Sequence, residues 1–310
     1  MPLEIHRSSR LVSDQYFAYG TFRPGEISFL KIEKFVSAAV PSSVFGSLWV
    51  RDGLLLLDPD TRNDEVKGSL IQWNVGQAEL AKNAIKEMEP KQHYKWGEST
   101  VKLDCGACAQ ADILFGVKPR RGSHAFDVEK WSSWNDPYFS DALEICDELA
   151  AAESPRSHSM RSTLKLQMAY LLLWSSIERY TALRYRLDDK VWQRVSQLAK
   201  DPQFSETMNL IPVEPREIFR IDRPNEKIKL LAENPDSALE YYYQVRSNLA
   251  HRGKGMWKDH AILAKSLAEL VAIFRNVIAS ARSASEQAAN SLAQAASRRG
   301  CPTGSYEPMF

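Results

Sequence analysis

The amino-acid sequence predicts an α+β protein whose first half is rich in strands and whose second half is helical. Between residues 16 and 116, short apolar bursts are broken by Gly, Pro, Asp and Asn, a pattern typical of strands and turns. After about residue 123, apolar residues recur at helical spacing over much longer stretches. With 310 residues and 44% hydrophobic content, the chain is long enough for two domains that each bury a core.

The first half is predicted to contain several short strands and one helix. The strand patterns cover residues 16–19, 44–50, 54–57, 66–73 and 100–103. The helix is predicted over residues 77–89, where Leu80, Ala84, Ile85 and Met88 recur at helical spacing and Pro90 ends the run.

The second half is predicted to be a helical bundle. Its long helices cover residues 161–187, 234–253 and 259–281, and the four prolines within 202–224 indicate an irregular connection. Residues 118–123 are expected to begin the linker between the domains. Residues 283–310 are expected to form a low-complexity tail, a fraying helix followed by a disordered end.

Composition limits the classes of function and partner. The chain has 40 Lys plus Arg against 39 Asp plus Glu, so a nucleic-acid contact would need a local basic patch rather than bulk charge. Such a patch lies within residues 244–260, where Arg246, Arg252, Lys254 and Lys258 outnumber Asp259. No apolar stretch is long enough for a membrane helix or a signal peptide, so we expect a cytoplasmic protein with no membrane partner.

The cysteines indicate neither a disulfide framework nor a metal site. The chain has four cysteines without regular spacing, and Cys105 and Cys108 form a lone CxxC without a second pair. We therefore expect reduced cysteines, no metal and no cofactor.

A loop near the N-terminus resembles a known signature. Residues 18–26, Ala-Tyr-Gly-Thr-Phe-Arg-Pro-Gly-Glu, indicate a strand running into a tight loop whose backbone N–H groups are free to face an anion. The string resembles the YGTLRPG-like signature of the γ-glutamylcyclotransferase-like family. The glycine-containing strands at 45–48 and 66–70, the helix ending at Glu89, and His93-Tyr94 follow in that family's order. The resemblance covers residues 14–120, with trailing elements to about 145.

This resemblance implies a small β-barrel-like domain with a binding site for a γ-glutamyl-like ligand. Glu89 would be the general base or acid in cyclisation to 5-oxoproline, whereas Glu87 is one residue out of phase. Pro90 and Phe22 depart from the family's usual Gly and Leu. The alternative is that Glu89 is a solvated surface residue at a helix end. The ligand-binding residues implied are Tyr19, Gly20, Thr21, Phe22, Arg23 and Tyr94.

A helix in the second half resembles a second family. Arg246-Ser-Asn-Leu-Ala-His251 places a permanent cation and a side chain that titrates near neutral pH on one helix. The string resembles the RxxxxH helix of HEPN domains, and Glu178 on the predicted helix at 161–187 resembles their earlier acidic residue. The resemblance implies an all-α HEPN-like domain over residues 125–282 that pairs as a homodimer.

The chemistry implied is RNA cleavage without a metal, in which a 2′-hydroxyl attacks the adjacent phosphate. His251 would move the proton, Arg246 would bind the phosphate, and Ser247 or Asn248 would orient the reacting groups. Alternatively, Arg246 pairs with Glu178 or Glu240 inside the bundle and His251 only caps its helix. The basic rim expected to contact RNA consists of Arg252, Lys254 and Lys258.

These observations lead to three hypotheses of function. The first is a HEPN-type endoribonuclease controlled by a γ-glutamylcyclotransferase-like sensor or modifying domain, by analogy in stress response or phage defence. The second is an active γ-glutamylcyclotransferase-like enzyme whose helical domain is a dimerisation scaffold. The third is a binding protein in which neither domain is catalytic.

Overall fold

The computed structural model describes residues 14–60, 64–89, 92–117, 124–125, 130–151, 159–185, 190–220, 223, 225–252 and 260–299. Within these ranges the chain forms two compact units. The first unit contains residues from 14–25, 29–131 and 287–299, and the second contains residues from 26–28 and 132–286. The predicted α+β class, with strands early and helices late, is confirmed.

The first unit is built on a closed barrel of five strands. Strand β1 (Gln15–Ala18) pairs with β4 (Asp64–Trp73) and, in parallel, with β6 (Cys108–Gly116). Strand β2 (Val36–Arg51) pairs with β4, and β5 (Tyr94–Leu103) pairs with β6. The pairing of β2 with β5 closes the ring in the order β2-β4-β1-β6-β5. The hairpin strand β3 (Leu54–Asp58) and the short β7 (His124–Ala125) both pair with β2.

Close packing of β4 on β1 depends on a glycine. A Cβ atom at Gly68 would lie 2.4 Å from the carbonyl oxygen of Ala18 and 2.5 Å from Cζ of Phe17, far inside van der Waals contact. The absence of a side chain at Gly68 therefore lets β1 carry its polar end, Tyr19 and Gly20, to the rim of the barrel.

Helix α2 (Ala78–Met88) covers one face of this barrel. Its buried residues Ala81, Ile85 and Met88 follow helical spacing and join the cluster that contains Tyr16 and Trp73. Lys82 of α2 also forms an ion pair with Asp112 of β6, and both side chains are mostly buried. These contacts hold the C-terminus of α2 against the sheet. The first unit also has the short helix α1 (Phe29–Ile32), followed by a 3₁₀ turn at Glu33–Phe35.

The second unit is mainly helical. After a 3₁₀ turn at Ser133–Asn135 come α3 (Asp141–Ala151), α4 (Met160–Arg184), α5 (Val191–Leu198) and α6 (Pro202–Leu210). Strands β8 (Arg216–Phe219) and β9 (Lys227–Leu230) precede α7 (Pro235–Arg252) and α8 (His260–Arg299). Ser159 caps α4 by accepting a hydrogen bond from the N–H of Ser162, as expected for a serine at this position.

The prediction that this half is all-α was wrong in one segment. Strands β8 and β9 form an antiparallel hairpin in which Ile218 and Ile228 are paired and buried. Charged residues such as Glu217 and Lys227 alternate with the buried isoleucines and are exposed to solvent. This alternation is the pattern of a half-buried strand. The predicted irregular connection also contains α6, whose N-cap Asp201 and first residue Pro202 are favourable at a helix start.

The predicted tail also differs from the structure. Helix α8 does not end near residue 281 but continues to Arg299. Ser285 is buried and donates a hydrogen bond to the carbonyl oxygen of Glu26, while Ala288 and Leu292 pack in the apolar cluster of the first unit. Alanine has a high helix propensity, and these contacts stabilise the helical conformation of residues 283–299. The expected linker at 118–123 and the chain end after Arg299 lie outside the described residues.

Two further expectations concern cysteines and membranes. Cys105 is disulfide-bonded, contrary to the expectation of reduced cysteines, whereas Cys108 and Cys146 are free thiols. No helix in the described part of the chain is both long and apolar enough to cross a membrane.

Candidate functional site

A pocket opens in the first unit, where β1 runs into the loop that follows it. Six of the residues predicted from the sequence line this one pocket. They are Tyr19, Gly20, Thr21, Phe22, Glu89 and Tyr94. Three residues that the sequence did not single out complete the lining, namely Tyr16, Leu55 and Leu114.

The loop of residues 19–25 turns tightly at the mouth of the pocket. The N–H of Arg23 donates to the carbonyl oxygen of Gly20 at 2.9 Å, and Gly25 has φ of 93°, which favours glycine. Within the described residues, the N–H groups of Thr21 and Phe22 have no hydrogen-bond acceptor. Two adjacent donors at a pocket mouth can bind a carboxylate or a developing oxyanion.

Arg23 is the predicted ligand-binding residue that the structure does not bring to the pocket lining. One of its terminal nitrogens, Nη2, donates to the carbonyl oxygen of Trp131 at 3.2 Å. This bond directs the guanidinium toward the chain near Trp131, so Arg23 supports the loop rather than lining the site.

Two tyrosines form hydrogen-bonded walls of the pocket. The hydroxyl of Tyr19 donates to the carbonyl oxygen of Leu114 at 2.6 Å and accepts from the N–H of Leu57 at 3.2 Å. The hydroxyl of Tyr94 donates to the carbonyl oxygen of Leu55 at 2.9 Å. These bonds join β6, β5 and the hairpin strand β3, so the pocket walls are held by backbone contacts from three strands.

Glu89 lies where α2 ends and the backbone becomes extended. Its N–H still donates to the carbonyl oxygen of Ile85 at 3.0 Å, while its own φ and ψ of −94° and 123° turn the chain away. Ile85 and Met88, in the last turn of the helix, are buried. Glu89 as a whole is half-buried, and its Oε2 atom is the buried part of the carboxylate. Glu87, in contrast, is exposed, so the structure distinguishes the two carboxylates.

The tyrosines around Glu89 stay protonated over the ordinary pH range. Burial raises the pKa of Tyr16, Tyr19 and Tyr94, and the negative charge of Glu89 raises the pKa of each further. Glu89 therefore lies close to all three phenols, in a wall that is neutral and largely apolar.

Tyr16 is the most informative residue that sequence reasoning missed. Its ring stacks on Trp73 with centroids 6.0 Å apart and lies 5.7 Å from the ring of Trp96. Its position three residues before Tyr19 puts it on the opposite face of β1, toward α2. The only signal in the sequence was that Tyr16 begins the strand pattern at residues 16–19 that runs into the predicted loop.

The second predicted site is described only in part. The Nη2 atom of Arg246 on α7 lies 3.0 Å from Oε1 of Glu178 on α4, and the guanidinium lies 5.7 Å from the ring centre of Tyr243. The structure thus brings Arg246 and Glu178 together as an ion pair that is about one-fifth exposed. His251 and Arg252 belong to α7, but their side chains, like Lys254 and Lys258, lie outside the described residues.

The neighbouring polar residues of α7 have different surroundings. Asn248 is buried, accepts a hydrogen bond from Nε2 of Gln244 at 2.6 Å and donates to the carbonyl oxygen of Phe219 at 2.9 Å. The bond to Phe219 connects α7 to the β8–β9 hairpin, so Asn248 has a structural role. Ser247 is half-buried.

The described residues contain no cluster of three or more His, Cys, Asp or Glu side chains that could hold a metal ion. The disulfide bond at Cys105 also removes one of the two thiolates that the CxxC pair would have supplied.

Comparisons with known proteins add little. No protein-family model matches the chain, and no curated protein matches it. A solved structure, the uncharacterized protein PH0828 from Pyrococcus horikoshii, aligns over 36% of this chain and 86% of its own with 18% identity. Its TM-score is 0.28, too low to carry an argument about fold or function.

Proposed function

We propose that the pocket of the first unit binds a γ-glutamyl compound and cyclises it to 5-oxoproline, releasing the amine. The observation that carries this proposal is that Glu89 lines the same pocket as the loop residues Gly20, Thr21 and Phe22. They are separated by about seventy residues of chain, consistent with a barrel that brings distant segments together.

The reaction needs proton transfers in both directions. The α-amine of the γ-glutamyl group attacks its own γ-carbonyl carbon, and Glu89 as a carboxylate accepts the proton that this amine loses. The C–N bond to the leaving amine then breaks, and Glu89, now protonated, returns that proton to the leaving nitrogen. One carboxylate thus serves as base and then as acid.

The other lining residues would bind and orient the substrate. The N–H groups of Thr21 and Phe22, without acceptors among the described residues, would donate to the substrate's anionic group or to the oxygen that gains charge during attack. The phenols of Tyr16 and Tyr94 remain neutral because burial raises the pKa of each, so they exclude water without competing for the proton.

The matched pair Glu89→Gln and Glu87→Gln tests this proposal. The protein would be incubated with γ-glutamyl amines and γ-glutamyl amino acids, and 5-oxoproline would be measured by mass spectrometry. We expect Glu89→Gln to lose about 10²–10⁴-fold in rate, the usual contribution of general acid–base catalysis. Glu87→Gln should retain the wild-type rate because Glu87 is exposed. Equal rates for wild type and Glu89→Gln would refute the assignment.

A metal-independent HEPN-type ribonuclease in the second unit is the second candidate. What supports it is that the two residues of the resemblance, Arg246 and Glu178, come together from positions 68 residues apart. The same ion pair is what the structural alternative expects, so the experiment below is designed to separate the two roles of Arg246. A partly exposed guanidinium on α7 could bind phosphate, and His251 five residues later would supply the proton transfer. The first unit would then act as its sensor or modifying domain, and two motif helices would meet in a homodimer.

Total RNA incubated with the protein in EDTA tests this candidate. We expect fragments with cyclic-phosphate or 3′-phosphate ends from wild type, and none from His251→Ala. Arg246→Lys keeps the charge and separates the two roles of Arg246. A ribonuclease should lose activity because lysine cannot bind phosphate bidentately, whereas a purely structural arginine would leave cleavage unchanged. No cleavage by folded wild-type protein would leave the pocket of the first unit as the functional site.

A further inference from the structure

Strand β2 carries two side chains whose buried N–H donors have no hydrogen-bond partner among the residues that the structure describes. Arg51 is only 7% exposed, and its Nε and Nη2 atoms are buried without a hydrogen-bond partner in the described part of the chain. The indole Nε1 atom of Trp49 is likewise buried without a partner there. The two residues are two positions apart on the strand and so face the same side, about 7 Å from each other along the chain.

A guanidinium in this state is energetically unfavourable. Arginine stays charged at any ordinary pH, so it cannot escape burial by losing its proton. Removing a charge from water without a compensating partner is strongly unfavourable in a protein. By contrast, the partly buried Arg216 of the second unit has such compensation, since it donates to Glu269, Ser266 and the hydroxyl of Tyr241.

The pattern of open donors specifies the kind of partner that is missing. The Nε and Nη2 atoms lie on one edge of the guanidinium and present two parallel N–H groups, which match the two oxygens of a carboxylate. The indole N–H of Trp49 is also a donor and cannot accept. A partner for all three groups must therefore be an acceptor with negative charge.

These donors lie on the strand pair that borders the pocket described above. Arg51 is the register partner of Leu54 in the β2–β3 hairpin. The following residue, Leu55, lines the pocket, and its carbonyl oxygen accepts the hydrogen bond of Tyr94, while its side chain alternates to the other face of the strand. Burial chiefly raises the pKa of Tyr94, and the positive charge of Arg51 acts in the opposite direction on the same phenol. Arg51 thus lies beside the Tyr94 wall of the pocket.

We propose that Arg51, with Trp49 as an additional donor, forms a carboxylate-binding subsite beside the Tyr94 wall. The subsite takes a small organic acid, or the carboxylate end of a ligand that enters the pocket. The inference concerns binding alone and holds whether or not Glu89 catalyses cyclisation.

Nuclear magnetic resonance of the indole N–H groups tests the subsite on the full-length protein. The chain has eight tryptophans, and the signal lost in Trp49→Phe identifies that of Trp49. Acetate and glutarate are the probes, with acetamide and glutaramide as uncharged controls and phosphate as a tetrahedral anion at matched ionic strength. We expect the acids to shift the Trp49 signal and the amides to leave it in place. Absence of a shift with both acids, or an equal shift with phosphate, overturns the assignment.

Thermal unfolding of Arg51→Met supplies a second readout that does not depend on the indole signal. Replacing an unpaired buried cation by an apolar side chain of similar length should leave the melting temperature equal or higher, while glutarate should raise the melting temperature of wild type alone. A large fall in the melting temperature of Arg51→Met, without any effect of glutarate on wild type, would show that Arg51 has a structural role instead.

Discussion

Replacing Tyr19 by phenylalanine is a direct test of how the pocket is held together. The hydroxyl of Tyr19 donates to the carbonyl oxygen of Leu114 at 2.6 Å and accepts from the N–H of Leu57 at 3.2 Å. Both bonds are buried, so Tyr19→Phe leaves two backbone groups without a partner and without access to water. Each such group costs about 1–3 kcal/mol, and the expected loss of unfolding free energy is about 2–6 kcal/mol.

The matched control is Tyr94→Phe. The hydroxyl of Tyr94 makes one bond, to the carbonyl oxygen of Leu55 at 2.9 Å, so its removal should cost about half as much, roughly 1–3 kcal/mol. Both substitutions remove the same atom from a tyrosine that lines the same pocket. Because Tyr94 is only half-buried and its bond is partly buried, both the smaller number of bonds and the partial access to water make the expected loss for Tyr94→Phe the smaller one.

Equilibrium unfolding in urea, followed by circular dichroism and tryptophan fluorescence, measures the two losses on the full chain. Tyr19→Phe should have the lower midpoint, with an m-value unchanged from that of wild type. A loss for Tyr19→Phe no larger than that for Tyr94→Phe would mean that the Tyr19 hydroxyl does not bridge β6 and β3, and the account of the pocket walls would be wrong.

Three further predictions concern packing and titration. Gly68→Ala should lower the unfolding free energy by about 1–3 kcal/mol or more, because its Cβ would meet the Ala18 carbonyl oxygen; unchanged stability in urea would contradict this contact. Burial raises the pKa of the Cys146 thiol to about 11, so iodoacetamide at pH 8 should label the exposed Cys108 and leave Cys146 unmodified until urea is added, as mass spectrometry would report. Stability should also fall as the pH rises above about 10, because an unfolded tyrosine loses its proton there while the buried ones keep theirs; tyrosinate absorbance of the native protein at pH 10 that equals that of the urea-unfolded chain would argue against it. The tyrosines with a raised pKa are Tyr16, Tyr19, Tyr94, Tyr170, Tyr180, Tyr185 and Tyr242.

Much of the candidate pocket could be predicted from local patterns. The tight turn after β1 follows from two glycines and a proline in eight residues, and the end of α2 follows from the apolar spacing that stops before Pro90. The resemblance to the γ-glutamylcyclotransferase-like family then implied that Glu89 and the loop share a site. The predicted turn and helix end depend on backbone preferences that act over a few residues, whereas the shared site does not.

Contacts between distant strands could not be predicted in this way. Leu114 enters the pocket because β6 pairs in parallel with β1, and Leu55 enters because β3 folds back on β2. Neither pairing has a local signal, since strand register depends on the faces that the whole barrel buries. The same reason explains Arg51, which reads from the sequence as an ordinary charged turn residue and is buried by the barrel.

The second unit shows the same division. Periodicity predicted α4 and α7, but the pairing of Arg246 with Glu178 and the tie of Asn248 to Phe219 depend on how these helices and the hairpin pack. Strands β8 and β9 have four residues each, and such a short alternating pattern is a weak signal for strands. The four prolines nearby indicated an irregular connection, so the hairpin was not predicted.

Local patterns in the sequence predicted the α+β class, the strand-rich first half, the helical second half, the turn after β1 and the end of α2. These properties follow from propensity and apolar periodicity, which act between neighbouring residues. The expectation that the loop and Glu89 share a site came from the family resemblance instead. Only the tertiary structure decided that α8 continues to Arg299, that Arg23 lies outside the pocket lining, and that Arg51 and Trp49 on β2 bury donors without a hydrogen-bond partner among the described residues. These outcomes depend on close packing between segments far apart in the chain, where the free energy of each contact is set by residues that no local pattern identifies.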